Sequence, residues 1–532
     1  MSQLDYFDKG NRLLGNILAH YAQETPDAVF LAFGERRISY ADVYRQACEI
    51  AQGLRERGLG KNDRLCIFMA SSPEFVVVSF AAKFIGAQMI PGNTDYRGVW
   101  LADTIVDSDP ALIVTDAEYA QRLQAVATSL PVCVFGDCEA SSDDWFSFDE
   151  LSRPATNFQA EDLVYGDTAS IMWTSGTTGK SKGVMQSHNA WIRSALSANE
   201  MGKMTASDVS YNCLPLYNSA AWVTSVYPAL MIGATCAIDP AFSASTFWNR
   251  VRFYGATHVF TLGAMHMFLW AAPAAENDAD NVIRSAQMVP MPDDIREPFK
   301  KRFGIPVIHQ GFGQSEIMLL MRRIDDGVTQ WPPNSLGAPA KDIEVALLDE
   351  QGQPVAVGEA GEVCIQEKSP HVLFNGYFNN EEATRSAFKD GWYHTGDLLK
   401  QDAEGYYYFV DRKKDLIRYK GRSVSSVAIE AVARNHPAVA SAAAYGIESE
   451  ELSSEHEIML AVIPQENTSI DPQALARFIN DNAPYFFVPR YIECVESLPM
   501  TPTQKVQKNQ LRERGLTANT WDAKAAGFVI ER

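Results

Sequence analysis

The sequence predicts an α/β protein with a large N-terminal domain of layered α/β subdomains and a smaller C-terminal α+β domain. The chain has 532 residues, which is more than one hydrophobic core usually serves. From about residue 25 to 400, short β-rich runs alternate with longer helical patterns, as in parallel sheets covered by helices. Near Asp411 this alternation gives way to a basic segment. We therefore expect two domains, 1–413 and 414–532.

Local composition predicts the individual elements of both domains. Runs rich in β-branched and apolar residues, bounded by turn residues, predict strands. These runs are 64–69, 111–114, 132–135, 457–463 and 491–495. Helical periodicity with start and stop signals predicts helices. These patterns are 73–85, 425–436 and 472–482.

Composition excludes several classes of protein. Apolar residues make up 46% and charged residues 21% of the chain, as in ordinary globular proteins. Residues 1–5 show no basic region before an apolar stretch, and the most apolar segment, 75–90, is interrupted by Lys83, so we expect no signal peptide or membrane span and a cytoplasmic protein. The eight scattered cysteines indicate reduced thiols. A net charge of −20 disfavours nucleic acid as a partner, so an anionic ligand needs a locally basic site.

The run Thr174–Val184 follows an apolar stretch and is rich in glycines, hydroxyl groups and lysines. Glycines let backbone N–H groups approach anionic oxygens, hydroxyls donate further hydrogen bonds, and lysines balance the charge. The run therefore predicts binding of a nucleoside triphosphate. The hydroxyl-bearing residues, glycines and lysine that make the run a candidate phosphate site include Thr174, Ser175, Gly176, Thr177, Thr178, Gly179 and Lys182.

A P-loop is the alternative interpretation of this run. The P-loop pattern requires a glycine five positions before its Gly-Lys pair. Gly179-Lys180-Ser181 fits the end of the pattern, but Thr174 stands where that glycine should be. An ADP-forming kinase or NTPase therefore remains a second hypothesis.

Five motifs together identify a family resemblance. They are TSGTTGKSKG at 174–183, GFGQSE at 311–316, GWYHTGD at 391–397, DRKKDLIRYKG at 411–421 and PTQK at 502–505. In order and spacing they resemble the adenylate-forming superfamily of acyl-CoA synthetases, luciferases and peptide-synthetase adenylation domains. The segments 486–491 and 520–528 look most like crotonobetaine/carnitine-type and fatty-acid-transport-type acyl-CoA synthetases. The resemblance covers nearly the whole chain and implies that the C-terminal domain is mobile.

The resemblance implies an ATP-dependent acid–CoA ligase that requires Mg²⁺ and coenzyme A. A carboxylic acid would attack ATP to give acyl-AMP and pyrophosphate, and the CoA thiol would then give acyl-CoA and AMP. An adenylating enzyme with another acceptor, or an adenylate-binding protein without turnover, would share these motifs. Amino-acid adenylation is disfavoured because Tyr217-Asn218 lacks the aspartate of those domains. The identity of the acid is left open, and a homodimer is compatible with the resemblance.

The resemblance also implies roles for residues along the motifs. Thr174, Lys182, Glu316 and Lys505 are the expected catalytic residues, with Glu316 as the magnesium ligand and Lys505 bridging the acid and the α-phosphate. The residues expected around adenine and the α-phosphate are Gly311, Phe312, Gly313, Gln314 and Ser315.

Further roles follow from the later motifs. Asp397 and Arg412 are expected to hold the ribose, and Lys414 to be the hinge. The residues expected near CoA are Arg418, Lys420 and Gly421, and those expected in the acid pocket are Asn218, Trp222, Gly263 and Met318. The chain departs from common family patterns at Ser181, Asn218, Phe312 and Gln504.

Overall fold

The computed structural model describes residues 8–126, 129–137, 144–174, 181–419, 422–449, 456–501 and 505–531. These residues form two compact units. The first contains the described residues up to 174 together with Lys182–Glu344 and Glu367–Ser386, and the second contains Ser181, Val345–Gln366 and the described residues from Ala387 onward. The expected domain boundary between residues 413 and 414 marks a hinge about which the C-terminal domain would rotate, whereas the two units are defined by their compactness. The boundary therefore stays a prediction.

The first unit is built on two large sheets. The strands of the seven-stranded sheet are, in spatial order, Trp145–Ser147, Val132–Phe135, Leu112–Asp116, Arg64–Phe68, Gln88–Pro91, Thr168–Trp173 and Gly183–Ser187. The strands of the nine-stranded sheet are Ala338–Pro339, Met321–Arg323, Ile308–Phe312, Ser285–Val289, His258–Leu262, Val209–Asn212, Thr235–Ile238, Val29–Phe33 and Arg36–Ser39. Most neighbours are parallel, and the antiparallel pairs lie at the sheet edges.

Helices accompany these sheets, and their ends follow ordinary capping rules. The helices of the first unit are Leu14–Glu24, Tyr40–Glu56, Pro73–Phe84, Gly98–Ser108, Ala117–Ala125, His188–Gly202, Ser219–Ala221, Tyr227–Ile232, Phe247–Tyr254, Gly263–Ala271, Asp293–Phe303 and Glu381–Ala387, the last reaching one residue into the second unit. The helix Pro73–Phe84 begins after Ser72, whose hydroxyl accepts from Phe75 N, and proline occupies its first turn. Every residue of this helix except Glu74 is buried, including Lys83, and its apolar side chains belong to the main core.

The second unit is an α+β unit with three small sheets. The strands of the first are Ile343–Leu348, Ala360–Glu367, Trp392–Gln401 and Phe388–Lys389, with Tyr407–Arg412 pairing to Trp392–Gln401. The strands of the other two are Ile417–Tyr419 with Arg422–Val424, and Val439–Glu448, His456–Pro464, Tyr491–Cys494 and Trp521–Asp522. Its helices are Ser426–Arg434, Pro472–Asn482 and Lys508–Arg514.

The structure confirms the predicted fold class and the predicted elements. The strand Val132–Phe135 and the helix Pro472–Asn482 have the predicted bounds, and the other predicted elements shift by one or two residues at their ends. No helix of the described residues is both long enough and apolar enough to cross a membrane.

Candidate active site

The ends of the predicted phosphate loop are joined at its base. The strand Thr168–Trp173 and the strand Gly183–Ser187 are antiparallel, with Trp173 opposite Gly183. The pairing continues one step further, because Thr174 N donates to the Lys182 carbonyl at 2.9 Å and Lys182 N donates to Thr174 Oγ1 at 3.1 Å. Ser175, Gly176, Thr177, Thr178 and Gly179 lie outside the described residues. The sheet therefore fixes both ends of the segment that is expected to hold phosphate.

Glu316 and Lys182 both contact Tyr377 in the first unit. The Tyr377 hydroxyl donates to Glu316 Oε1 at 2.8 Å, and the Lys182 ammonium lies 4.8 Å from the centroid of the Tyr377 ring, which is within cation–π range. Two backbone contacts fix the position of this tyrosine. An isolated β-bridge pairs Tyr377 with Val184, and Phe374 N donates a hydrogen bond to the Glu316 carbonyl at 3.0 Å. One lysine and one carboxylate thus contact the same tyrosine side chain.

The carboxylate of Glu316 suits a hard cation. Tyr377 engages Oε1, and the described residues provide no hydrogen bond to Oε2. A carboxylate oxygen fixed in this way is the kind of ligand that Mg²⁺ takes beside phosphate oxygens. The residues present therefore fit the magnesium ion that the family resemblance implies.

The GFGQSE motif forms a strand end and a tight turn. Gly311 and Phe312 end the strand Ile308–Phe312. A Cβ on Gly313 would lie 2.0 Å from the Met318 carbonyl oxygen, so only glycine allows this close approach. The Ser315 carbonyl accepts from the side chain of Gln186. Position 313 therefore requires glycine, because the backbone of Met318 occupies the space that a side chain would need.

A buried arginine holds the far side of this turn. Arg193 is 5% exposed and donates from Nη1 to the carbonyls of Ile317 at 3.0 Å and Leu319 at 3.2 Å. These carbonyls flank Met318, whose φ of 59° is unusual for a residue with a side chain. Asp342 accepts two hydrogen bonds from the same guanidinium, at 2.5 and 2.6 Å. The pair therefore stabilises the conformation that carries Met318.

The residues expected in the acid pocket have different environments. Trp222 is fully buried and donates from its indole nitrogen to the Leu216 carbonyl at 2.7 Å. Asn218 caps a short helix by accepting from Ala220 N at 3.0 Å. Gly263 begins a helix, and Met318 packs against the main core cluster that contains Trp222. Their role in binding an acid stays a prediction.

Asp397 and Arg412 are paired in the second unit. They are register partners on adjacent antiparallel strands, and Arg412 Nε lies 3.2 Å from Asp397 Oδ1. The Asp397 side chain is 2% exposed, whereas that of Arg412 is 37% exposed. An acceptor-only carboxylate beside a guanidinium can bind the two hydroxyls of a ribose.

Three potential metal ligands lie next to this pair. One donor atom each of Glu362, Cys364 and His394 falls within 4.8 Å of the others. The ammonium of Lys413, however, lies 2.9 Å from Glu362 Oε2, and burial raises the pKa of the Cys364 thiol to about 12. Lys413 and His394 both contact the Glu362 carboxylate, and Cys364 Sγ lies 3.4 Å from His394 Nδ1, so these groups form a hydrogen-bonded network.

The remaining predicted residues of the second unit lie on its turns and surface. Burial lowers the pKa of Lys414 to about 8, and its neighbour Asp415 pairs with Arg512 at 2.8 Å. Arg418 is exposed and pairs with Glu350 at 2.6 Å. Lys420 and Gly421 lie outside the described residues.

Two hydrogen bonds join Lys505 to Thr501. Thr501 N donates to the Lys505 carbonyl at 2.7 Å, and Lys505 N donates to Thr501 Oγ1 at 3.0 Å. Residues 502–504, including Gln504, lie outside the described residues. The exposed side chain of Lys505 therefore projects from a base fixed in the same way as the base of the phosphate loop.

Comparison with known proteins decides the family. The AMP-binding enzyme profile matches residues 18–378, and the AMP-binding enzyme C-terminal domain profile matches residues 428–505. The chain belongs to the AMP-binding enzyme family. This AMP-binding enzyme is 30% identical to crotonobetaine/carnitine–CoA ligase of Escherichia coli (strain SE11) over 487 residues, which cover 90% of this chain and 93% of that protein.

Solved structures share the fold of this AMP-binding enzyme. ATP-bound MatB from Rhodopseudomonas palustris has a TM-score of 0.83 at 24% identity, covering 94% of this chain and 98% of that one. The O-succinylbenzoate coenzyme A synthetase from Bacillus subtilis, in complex with ATP and magnesium ion, has a TM-score of 0.80 at 23% identity, covering 93% and 99%.

Sequence reasoning missed three residues of this candidate site. Tyr377 bonds Glu316, Arg193 supports the turn at Met318, and Glu362 bonds Lys413. Tyr377 follows Gly376, which has a φ of 109°, and this Gly-Tyr pair was the available signal. Arg193 and Glu362 are buried, and the only sequence signal for them was a charged residue close to apolar ones.

Proposed function

We propose that this AMP-binding enzyme is an AMP-forming acid–CoA ligase. Its family and the names of its relatives support this function, and neither supports an ADP-forming kinase. The observation that carries the proposal is the convergence of Lys182, Tyr377 and Glu316 beside the base of the phosphate loop. A cation for phosphate and a carboxylate for magnesium are both needed to transfer an adenylyl group.

The first half-reaction assigns a task to each described residue. Lys182 and the loop that starts at Thr174 would hold the β- and γ-phosphates and stabilise the departing pyrophosphate. Asp397 and Arg412 would fix the ribose, and Lys505 would donate to the carboxylate and to the α-phosphate as negative charge develops. Magnesium held by Glu316 would supply neutralising positive charge at the phosphates. The acid oxygen attacks the α-phosphorus, and pyrophosphate leaves.

In the second half-reaction the CoA thiolate attacks the acyl carbon, and AMP leaves with the electron pair of the anhydride bond. Arg418 is the described candidate for a CoA phosphate, because its charge is exposed and its partner Glu350 is exposed as well. A rotation at Lys414 would exchange Lys505 for the Arg418 segment between the two steps. Because this chain is similar to a crotonobetaine/carnitine–CoA ligase, a betaine-like acid is the first to test.

Location and assembly belong to the same proposal. We infer that the enzyme acts in the cytoplasm, which the absence of a membrane-spanning helix in the described residues allows. A homodimer is compatible with this role. Size-exclusion chromatography with light scattering would give a mass near twice 58.9 kDa for a dimer.

Product analysis tests the proposed function. The purified enzyme is given ATP, Mg²⁺ and a panel of short, medium, aromatic and betaine-like acids, with and without CoA. AMP together with acyl-CoA supports the proposal and identifies the acid class. ADP would contradict it. Acyl-AMP that accumulates in the presence of CoA would favour an adenylating enzyme with another acceptor.

A further inference from the structure

The strand that carries Asp397 contains a bulge that includes this residue. On the strand Ala360–Glu367, one residue separates Glu362 from Cys364, whereas three residues separate their partners Leu398 and His394 on the neighbouring strand. The extra residues include Gly396, whose φ is 71°. A bulge of this kind redirects a side chain and needs partners that hold it. The orientation of Asp397 therefore depends on what stabilises the bulge.

The carboxylate of Glu362 supplies that support. Its Oε1 accepts from Gly396 N at 3.1 Å. Its Oε2 lies 2.9 Å from the ammonium of Lys413 and 3.1 Å from His394 Nδ1. The Glu362 side chain is 9% exposed, so these charge-assisted contacts act in a largely buried environment.

The same contacts join the two strands that carry the ribose pair. Gly396 directly precedes Asp397, and Lys413 directly follows Arg412. Lys413 N also donates to the Gly396 carbonyl at 2.9 Å. Glu362 therefore bonds the neighbour of Asp397 with one oxygen and the neighbour of Arg412 with the other.

We propose that Glu362 is a positioning residue that sets the separation and orientation of Asp397 and Arg412 for the ribose hydroxyls of the nucleotide. This inference rests on the proposed ribose role of that pair. Glu362 itself touches neither the ribose nor a reacting atom. Without its carboxylate, the bulge at Gly396 loses a charged acceptor and Lys413 loses its partner.

Nucleotide binding tests the proposal without turnover. Isothermal titration calorimetry of the full-length protein in EDTA gives the Kd of ATP and the Kd of 2′,3′-dideoxyATP. The ratio of the dideoxyATP Kd to the ATP Kd reports recognition of the ribose hydroxyls. For Glu362→Gln we expect ATP to bind about tenfold more weakly and dideoxyATP to bind as in the wild type. Glu359→Gln, at an exposed acid directly before the same strand, should keep the wild-type ratio.

Each other outcome has a distinct meaning. A wild-type ratio in Glu362→Gln would overturn the proposal, and equal binding of both nucleotides by the wild type would overturn it together with the ribose role. If Glu362→Gln does not fold, Lys413→Met removes one of the same contacts and should lower the ratio in the same direction; an unchanged ratio would overturn the proposal. Formation of ADP would refute the proposed function while leaving this test intact.

Discussion

Replacing Lys83 with methionine should stabilise the protein at neutral pH by an amount that shrinks as the pH rises. Lys83 lies in the helix Pro73–Phe84 and is 1% exposed. Its ammonium donates to the Ser79 hydroxyl at 2.8 Å and to the Ser79 carbonyl at 3.1 Å, and it lies 5.7 Å from the Trp222 ring. Burial lowers the pKa of Lys83 to about 7.

The size and sign of the effect follow from this pKa. One pKa unit corresponds to about 1.4 kcal/mol, so the fall from 10.5 to about 7 costs about 5 kcal/mol of folding free energy at acidic and neutral pH. The unfolded chain binds the proton more tightly, so the cost is fully present below the folded pKa and disappears as the pH rises towards the unfolded pKa. Between about pH 7 and pH 9, about 2 kcal/mol is recovered.

Thermal unfolding across this pH range tests the prediction. The Tm advantage of Lys83→Met over wild type should fall by about 3 °C between about pH 7 and pH 9. Other titrating groups, such as Lys414, are present in both proteins and cancel in the difference. Burial and the charge of Lys83 lower the pKa of His188 to about 3, which is far below the tested range. Lys301→Met, at an exposed helical lysine, should show no such trend. A Tm difference for Lys83→Met that does not change with pH would refute the reasoning.

Three further predictions concern the candidate active site. Tyr377→Phe keeps the ring near Lys182 but removes the hydroxyl that bonds Glu316; the Mg²⁺ concentration for half-maximal pyrophosphate release should rise about tenfold, and an unchanged value would contradict the role of this hydroxyl. Lys505→Ala should slow acyl-AMP formation by about a hundredfold or more while thioester formation from added acyl-AMP stays nearly constant; equal losses in both steps would count against it. Asp342→Asn leaves Arg193 with a weaker partner and should cost about 2 kcal/mol of stability, seen as a lower Tm; a wild-type Tm would show that the ion pair contributes little.

The sequence was sufficient for the fold class and for most local elements. Ser72 and Pro73 predict where a helix begins because capping involves residues within one turn. The alternation of apolar strands and helices predicts parallel sheets for a similar reason, since each period is read over a few residues. Family motifs likewise name the candidate residues of the site, because order and spacing are properties of the chain itself.

Side-chain partners could not be predicted in the same way. Tyr377 and Glu316 are 61 residues apart in the chain, Arg193 and Asp342 are 149 apart, and Lys413 and Glu362 are 51 apart. No local period links such residues, and the sequence alone shows charges that could equally lie in solvent.

The sequence by itself therefore determined the class of fold, the order of the motifs and the family they resemble. Only the tertiary structure decided that a tyrosine bonds the expected magnesium ligand and that a buried glutamate supports the strand bulge that contains Asp397. The physical reason is that helices, caps and turns depend on neighbours within a few residues. Contacts between distant side chains exist only once the sheets and their register are formed.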